Sequence, residues 1–277
     1  MIENEDMQFD DHPSIKIINE NMPEIEDFEF RRVTNIDIKE SINSLKTTKA
    51  SGHDQIPIKL VKIASDYLCE PLAAILNSSI DNLTYPSECK YGQITPAHKK
   101  GDCKNKKNFR PLTVLPAFNT IFEKSLHIQL TEHFDAIISI YQSAFLKHHN
   151  TETALLRLVE DWKRKLDAHN YTAVISMYLS KALDSLPHGL LSAKLKAYGV
   201  IENSVQLLGS YLTPRYQRVT IIDTVSAWTK TIRLLEVCLK DRYELLKKAG
   251  RTTLFSRRIQ NIAIMTYKSV NNIAPII

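Results

Sequence analysis

The chain has 277 residues, of which 43% are hydrophobic and 24% charged, and its formal net charge is +5. This composition is typical of a globular protein that buries a core, and the basic balance suits nucleic-acid binding without demonstrating it. The seven glycines form neither of the Gly-rich motifs that cradle phosphates in P-loop and Rossmann proteins.

The cysteines and the apolar runs indicate the cellular setting. No two of the four cysteines form a C-x-x-C pair, so we expect no zinc site and interpret the cysteines as reduced thiols. No apolar run approaches the ~20 residues that span a bilayer. We therefore expect an intracellular protein, cytoplasmic or nuclear, that is not secreted and has no membrane partner.

The N-terminal segment is acidic and shows little hydrophobic periodicity over its first 30 residues. We interpret residues 1–45 as an acidic, partly disordered lead-in, in which a short helix begins near Asp37. That helix places three aliphatic residues on one face: Ile38, Ile42 and Leu45.

Hydrophobic periodicity predicts a helix-rich chain with a few strands. The predicted helices are two within 58–83, the second opened by Pro71, then 117–134, 151–168 with Thr151 as N-cap, 189–199 closed by Gly199, 204–212, 232–250 and 256–273. The predicted strands are one at each end of 92–116, a buried one over 171–179, and 215–222. The expected fold class is therefore helix-rich α+β.

Four stretches, in order along the chain, resemble the reverse transcriptase domain of non-LTR retrotransposons of the jockey, or LINE, type. They are "KASGHDQIPIKLVKIA" (49–64), "ITPAHKKGDCKNKKNFRPLTVLPAFNTIFEK" (94–124), "QSAFLKHHNTETALL" (142–156) and "MYLSKALDSLPHGLLSAKLKAYG" (177–199). The resemblance implies a partial right-hand polymerase, in which residues 46–230 form the fingers and the start of the palm. Within it, residues 46–170 are expected to hold the fingers and the first palm helices, and residues 171–222 to begin the palm.

The same resemblance implies nucleotide addition by two Mg²⁺ ions, which prefer charged oxygen ligands. In the family the first ligand is the aspartate of the "LDLSKAFD" motif, and Tyr178 stands at that position. A neutral phenol supplies no charge at neutral pH. Asp184 is a spare carboxylate in this degenerate metal site, although we favour a turn and N-cap role for it. Leu183 stands where the family has the aromatic steric gate against ribonucleotides.

A second loss follows further along the chain. After residues 217–231 the family continues with a "GVPQGS" segment and a hairpin carrying the "YADD" box, and neither is present in this sequence. Residues 231–277 instead resemble a helical C-terminal tail, joined near 230–232 after loss of that region. We therefore expect no catalytic residues and no Mg²⁺ bound well.

The resemblance also implies contacts with nucleic acid. Lys99, Lys100 and Arg110 match positions that contact the incoming triphosphate or the template backbone, and Gln142 and Phe145 match a template-side motif. The plainer interpretation of the basic residues is a solvated loop. RNA or DNA is the expected partner, through the basic loop of the fingers.

Three hypotheses follow from these residues. The first is a reverse transcriptase-like protein, derived from a non-LTR retrotransposon, that lacks polymerase activity. The second is a remnant that binds RNA or DNA without chemistry. The third is a relic open reading frame without function.

Overall fold

The computed structural model describes residues 9, 11–102, 108–139, 141–176, 187–221 and 224–230. These ranges contain eight α-helices, one short 3₁₀-helix and five strands, so the protein is a mixture of helices and strands in which helices dominate, as predicted. Two compact units divide the chain: Met1–Ile137 with Leu186–Ile232, and Ile138–Ser185 with Arg233–Ile277.

Seven of the described helices lie in the first unit. They are α1 (Pro13–Asn21), α2 (Asn35–Asn43), α3 (Ile58–Ile63), α4 (Ser65–Asp81), α5 (Ala117–Phe134), α7 (His188–Ala197) and α8 (Glu202–Leu212), and the 3₁₀-helix spans Ser87–Lys90. The remaining helix, α6 (Thr151–Asp167), lies in the second unit. Within the described ranges, none of the helices has both the length and the apolar character needed to cross a bilayer.

Helix α2 begins two residues earlier than the sequence predicts, because of a capping box. The Asp37 backbone N–H donates to the Thr34 hydroxyl at 3.3 Å, and the Thr34 N–H donates to the Asp37 carboxylate at 2.7 Å. Asp37 is therefore the third residue of the helix and not its start. The predicted apolar face is confirmed for Ile38 and Ile42, which are buried; Leu45 is buried too, but it lies beyond the end of the helix at Asn43.

The core of the first unit lies between α2, α4 and α5. Ile121, Phe122 and Leu126 of α5 are buried, which confirms the periodicity predicted for that helix. Pro71 lies inside α4 and does not open it, because the chain leaves the helical conformation earlier, at Ala64 (φ −88°, ψ 9°).

Part of the predicted lead-in belongs to this core. The Phe28 N–H donates to the Gly199 carbonyl at 2.7 Å, and the Ile201 N–H donates to the Phe28 carbonyl at 3.0 Å, so this segment runs parallel to the chain after α7. Gly199 has φ +79°, the left-handed conformation of the predicted helix C-cap. Phe28 and Phe30 are buried together with the apolar face of α2. Residues 28–45, expected to be a partly disordered lead-in, are therefore packed in the structure.

The five strands form one sheet in the first unit. Strand β1 (Tyr91–His98) pairs antiparallel with β2 (Phe109–Val114) and parallel with β3 (Tyr216–Ile221). Two short strands, β4 (Thr224–Val225) and β5 (Thr229–Lys230), both pair antiparallel with β3. The strands predicted at the ends of 92–116 and over 215–222 are confirmed.

The buried strand predicted over 171–179 is wrong in its described part. Residues 171–176 form no strand, and Tyr171 and Ile175 are 96% and 73% exposed. A run of β-branched and aromatic residues predicts a strand only where a partner strand is available to it.

Helix α6 of the second unit is capped by Asn150 and not by Thr151. The Asn150 side chain accepts a hydrogen bond from the Thr153 N–H at 2.8 Å. Thr151 is consequently the first residue of the helix, one position after the predicted N-cap.

Candidate nucleic-acid interface

Strands β1 and β2 form a basic hairpin, and the sequence that connects them is rich in positive charge. Between residues 99 and 110 the sequence has one acidic residue, Asp102, and six basic ones: Lys99, Lys100, Lys104, Lys106, Lys107 and Arg110. The structure describes residues 99–102 and 108–110 of this stretch. Such a density of positive charge beside a strand edge suits phosphate binding.

The strand register brings two of the predicted phosphate-binding residues together. Ala97 pairs with Arg110, and the Lys99 N–H continues the ladder by donating to the Asn108 carbonyl at 2.7 Å. Because alternate residues face the same side of a strand, Lys99 and Arg110 lie on one face as diagonal neighbours, within about 8 Å.

The turn that follows β1 is held by its own hydrogen bonds. Gly101 has φ +86°, and a Cβ there would lie 2.8 Å from the Asn108 side-chain amide. That amide donates to the Asp102 carbonyl at 3.0 Å, and the His98 ring bonds the Gly101 carbonyl at 3.1 Å. Glycine is therefore favoured at this turn, which directly follows Lys100.

The three described basic residues of the hairpin have no acidic partner among the described residues and can bind an anion. Lys99, Lys100 and Arg110 are exposed, and none of them pairs with a carboxylate within the described part of the chain. Other exposed basic residues of the first unit do have such partners: Lys16 with Asp11, Arg32 with Asp81, and Lys39 with Asp66. The hairpin is therefore better suited to a phosphate than those residues are.

Arg218 of β3 lies on the same sheet face and was missed by sequence reasoning. It pairs in register with Gln93, and its Nη2 donates to the Gln93 side-chain carbonyl at 2.9 Å. The available signal was the alternation within the predicted strand 215–222, which places Tyr216, Arg218 and Thr220 on one side.

The two template-side residues lie together in the second unit. Phe145 is 90% exposed and has φ +63°, which holds its ring outside any core. The Gln142 side chain donates to the Ala144 carbonyl at 3.3 Å, within the same loop. Nearby, the Arg157 guanidinium lies 4.9 Å from the centroid of the Tyr141 ring. The structure thus brings Gln142 and Phe145 into one exposed loop.

Tyr178, Leu183 and Asp184 lie outside the described residues, so their predicted roles stay predictions. Within the described ranges, no group of three or more His, Cys, Asp or Glu side chains is placed to hold a metal ion.

A second group of polar side chains, in the helical core of the first unit, has a structural role. The Tyr211 hydroxyl donates to Glu123 at 2.6 Å, and the Tyr85 hydroxyl donates to the Asn119 side-chain carbonyl at 3.0 Å. Burial raises the pKa of both tyrosines and raises the pKa of the Cys89 thiol to about 12. At neutral pH Cys89 is therefore a protonated thiol and a poor nucleophile.

Comparison with curated proteins shows relatives of one kind. The chain is 26% identical over 179 residues to a probable RNA-directed DNA polymerase from transposon X-element of Drosophila melanogaster, a match over 64% of this chain and 19% of the relative. It is 27% identical over 167 residues to the RNA-directed DNA polymerase from mobile element jockey of Drosophila melanogaster, over 59% of this chain and 18% of the relative.

A third relative carries the same name. The RNA-directed DNA polymerase from mobile element jockey of Drosophila funebris is 25% identical over 191 residues, which cover 68% of this chain and 21% of the relative. No protein-family model matches the chain. The chain spans about a fifth of the length of these curated relatives. The resemblance stated from its motifs is nevertheless confirmed: this chain is similar in sequence to the RNA-directed DNA polymerases of jockey-type and X-element non-LTR mobile elements.

Proposed function

We propose that this chain is a reverse transcriptase-like protein, derived from a non-LTR mobile element, that holds RNA or DNA without extending it. In this proposal residues 46–170 correspond to the fingers and the first palm helices, and residues 171–222 begin the palm. The sequence similarity to RNA-directed DNA polymerases supports the origin. The main structural support for nucleic-acid binding is that Lys99 and Arg110 are exposed on one face of the basic hairpin.

The proposal that the protein does not extend a primer rests on the side chains at the positions where the family binds its metal ions. Two Mg²⁺ ions need several charged oxygen ligands in near-octahedral geometry. Tyr178 offers a neutral phenol, and Asp184 offers one carboxylate. These residues do not fit a pair of Mg²⁺ ions.

The second support is the missing hairpin. No "YADD" box occurs in the chain, and residues 231–277 follow directly on β5 in sequence. Restoring an aspartate at position 178 would therefore leave the rest of the metal site absent. We infer that a bound primer keeps its length in the presence of this protein.

The binding proposal predicts a steep dependence on salt. Three phosphate contacts by Lys99, Lys100 and Arg110 release counterions, so the logarithm of the association constant should fall with the logarithm of salt with a slope of about −2 on single strands. Filter binding of the intact chain to a labelled single-stranded RNA, between about 50 and 200 mM salt, measures that slope. Affinity that does not change with salt would exclude phosphate contacts by the hairpin.

A further inference from the structure

One face of the sheet carries a half-buried cluster of aromatic rings around an arginine. Tyr91 and Tyr216, which pair in register, stack with ring centroids 5.0 Å apart and 15° between their planes. Trp228 meets Tyr91 edge-on at 4.9 Å. The Arg218 guanidinium lies 4.6 Å from the centroid of the Trp228 ring, so the cluster combines flat rings with a planar cation.

The polar groups of this cluster are incompletely satisfied. The Arg218 Nε is buried and has no hydrogen-bond partner among the described residues, and no carboxylate there pairs with the guanidinium. The Nδ1 of His53, whose ring lies edge-on to Trp228 at 5.4 Å, is buried without a partner as well. The Thr220 hydroxyl of the same strand face is a third such group. Among the described residues this half-buried cation has no anion beside it, so a bound ligand would supply hydrogen-bond partners to it and to the neighbouring polar atoms.

The cluster is continuous with the basic hairpin. Gln93 pairs with Arg218 and Ala97 with Arg110, so both arginines face the same side of the sheet. Gln93 and Ala97 are four positions apart on β1, so the two pairs lie about 13 Å apart along the strand. Lys230, which pairs with Tyr216, adds a further exposed charge at the aromatic end.

We propose that this aromatic face (Tyr91, Tyr216, Arg218 and Trp228) stacks the unpaired bases of a single-stranded nucleic acid whose phosphates extend to the basic hairpin. The inference rests on the proposed function and adds to it the form of nucleic acid that binds. Every base has a π face that stacks on aromatic rings and on guanidinium planes, so this contact tolerates any sequence. Bases within a duplex are already stacked, so single strands bind in preference to duplexes.

Tryptophan fluorescence separates base stacking from phosphate binding. The chain has two tryptophans, Trp162 and Trp228, so a Trp162→Phe variant of the full chain reports on the cluster alone. We expect an oligothymidylate of about 12 nucleotides to quench Trp228. An abasic oligonucleotide of the same length keeps the phosphates and should bind without quenching. A Trp228→Phe variant, which leaves only Trp162, is the matched control and should show no quenching.

Affinity gives the second readout. Trp228→Ala should weaken oligothymidylate binding about 5- to 100-fold while leaving the affinity for the abasic oligonucleotide within about twofold. Equal weakening for both oligonucleotides would indicate a structural role for Trp228 and overturn the inference. Oligothymidylate binding without quenching would overturn this inference and leave the proposed function intact, whereas no binding of either oligonucleotide would overturn both.

Discussion

Replacing Phe122 with alanine should lower the free energy of unfolding by about 3–5 kcal/mol, the largest effect on stability expected from a single substitution in this fold. Phe122 is 2% exposed and lies in the core that α5 shares with α2 and α4. The substitution removes the whole aromatic ring from a site surrounded by other buried side chains. The loss therefore includes both the transfer free energy of the ring and the cost of the cavity that remains.

Urea unfolding followed by circular dichroism measures the effect. Tyr67→Ala is the matched control, because Tyr67 lies on α4 with its ring 86% exposed, and it should change the free energy by less than about 0.5 kcal/mol. Equal effects of the two substitutions would contradict the packing described for α5. A parent protein that unfolds without any cooperative transition would favour the third hypothesis, a relic reading frame without a stable fold.

Neutralising the basic hairpin should have the largest effect on binding. A triple variant, Lys99→Gln, Lys100→Gln and Arg110→Gln, should weaken single-stranded RNA binding about 10- to 100-fold at low salt. Glutamine keeps a polar side chain but removes the charge that attracts phosphate and releases counterions. Fluorescence anisotropy with a labelled RNA, at one fixed salt concentration, measures the change.

A second triple variant controls for net charge. Lys16→Gln, Arg32→Gln and Lys39→Gln also remove two lysines and one arginine from exposed positions of the first unit. Each of these residues already pairs with a carboxylate, at 3.4, 3.3 and 2.6 Å respectively. We expect this variant to bind within about threefold of the parent, because its charges are already satisfied. Equal weakening by both triple variants would show that overall charge, and not the hairpin, attracts the nucleic acid.

Much of the helical fold could be predicted from the sequence because its signals are local. The buried face of α2 and the periodicity of α5 follow from residue spacing alone, and Gly199 marks the end of α7 through its positive φ. The packing of Phe28 and Phe30 could not be predicted in the same way. It depends on backbone hydrogen bonds to Gly199 and Ile201, which lie more than 170 residues away in sequence. The acidic residues around these phenylalanines gave a misleading signal of disorder.

The candidate nucleic-acid interface was predictable only in part, because some of its residues come together through contacts between distant parts of the sequence. The sequence identifies Lys99, Lys100 and Arg110, because the basic loop and the flanking strand motifs are contiguous. Their convergence with Arg218 depends on a parallel pairing between β1 and β3, which joins strands more than 100 residues apart. At residues 171–179 the local composition predicted a strand that the structure does not have, since the described residues 171–176 form none.

If the protein holds nucleic acid without extending it, a primer recovered from the bound complex keeps its length. A labelled primer annealed to an RNA template is incubated with the intact chain, the four deoxynucleoside triphosphates, and Mg²⁺ or Mn²⁺. The complex is isolated on a native gel and its primer is sized under denaturing conditions. We expect a retained complex whose primer keeps its original length. An extended primer, or no complex at low salt, would show that the proposed function is wrong.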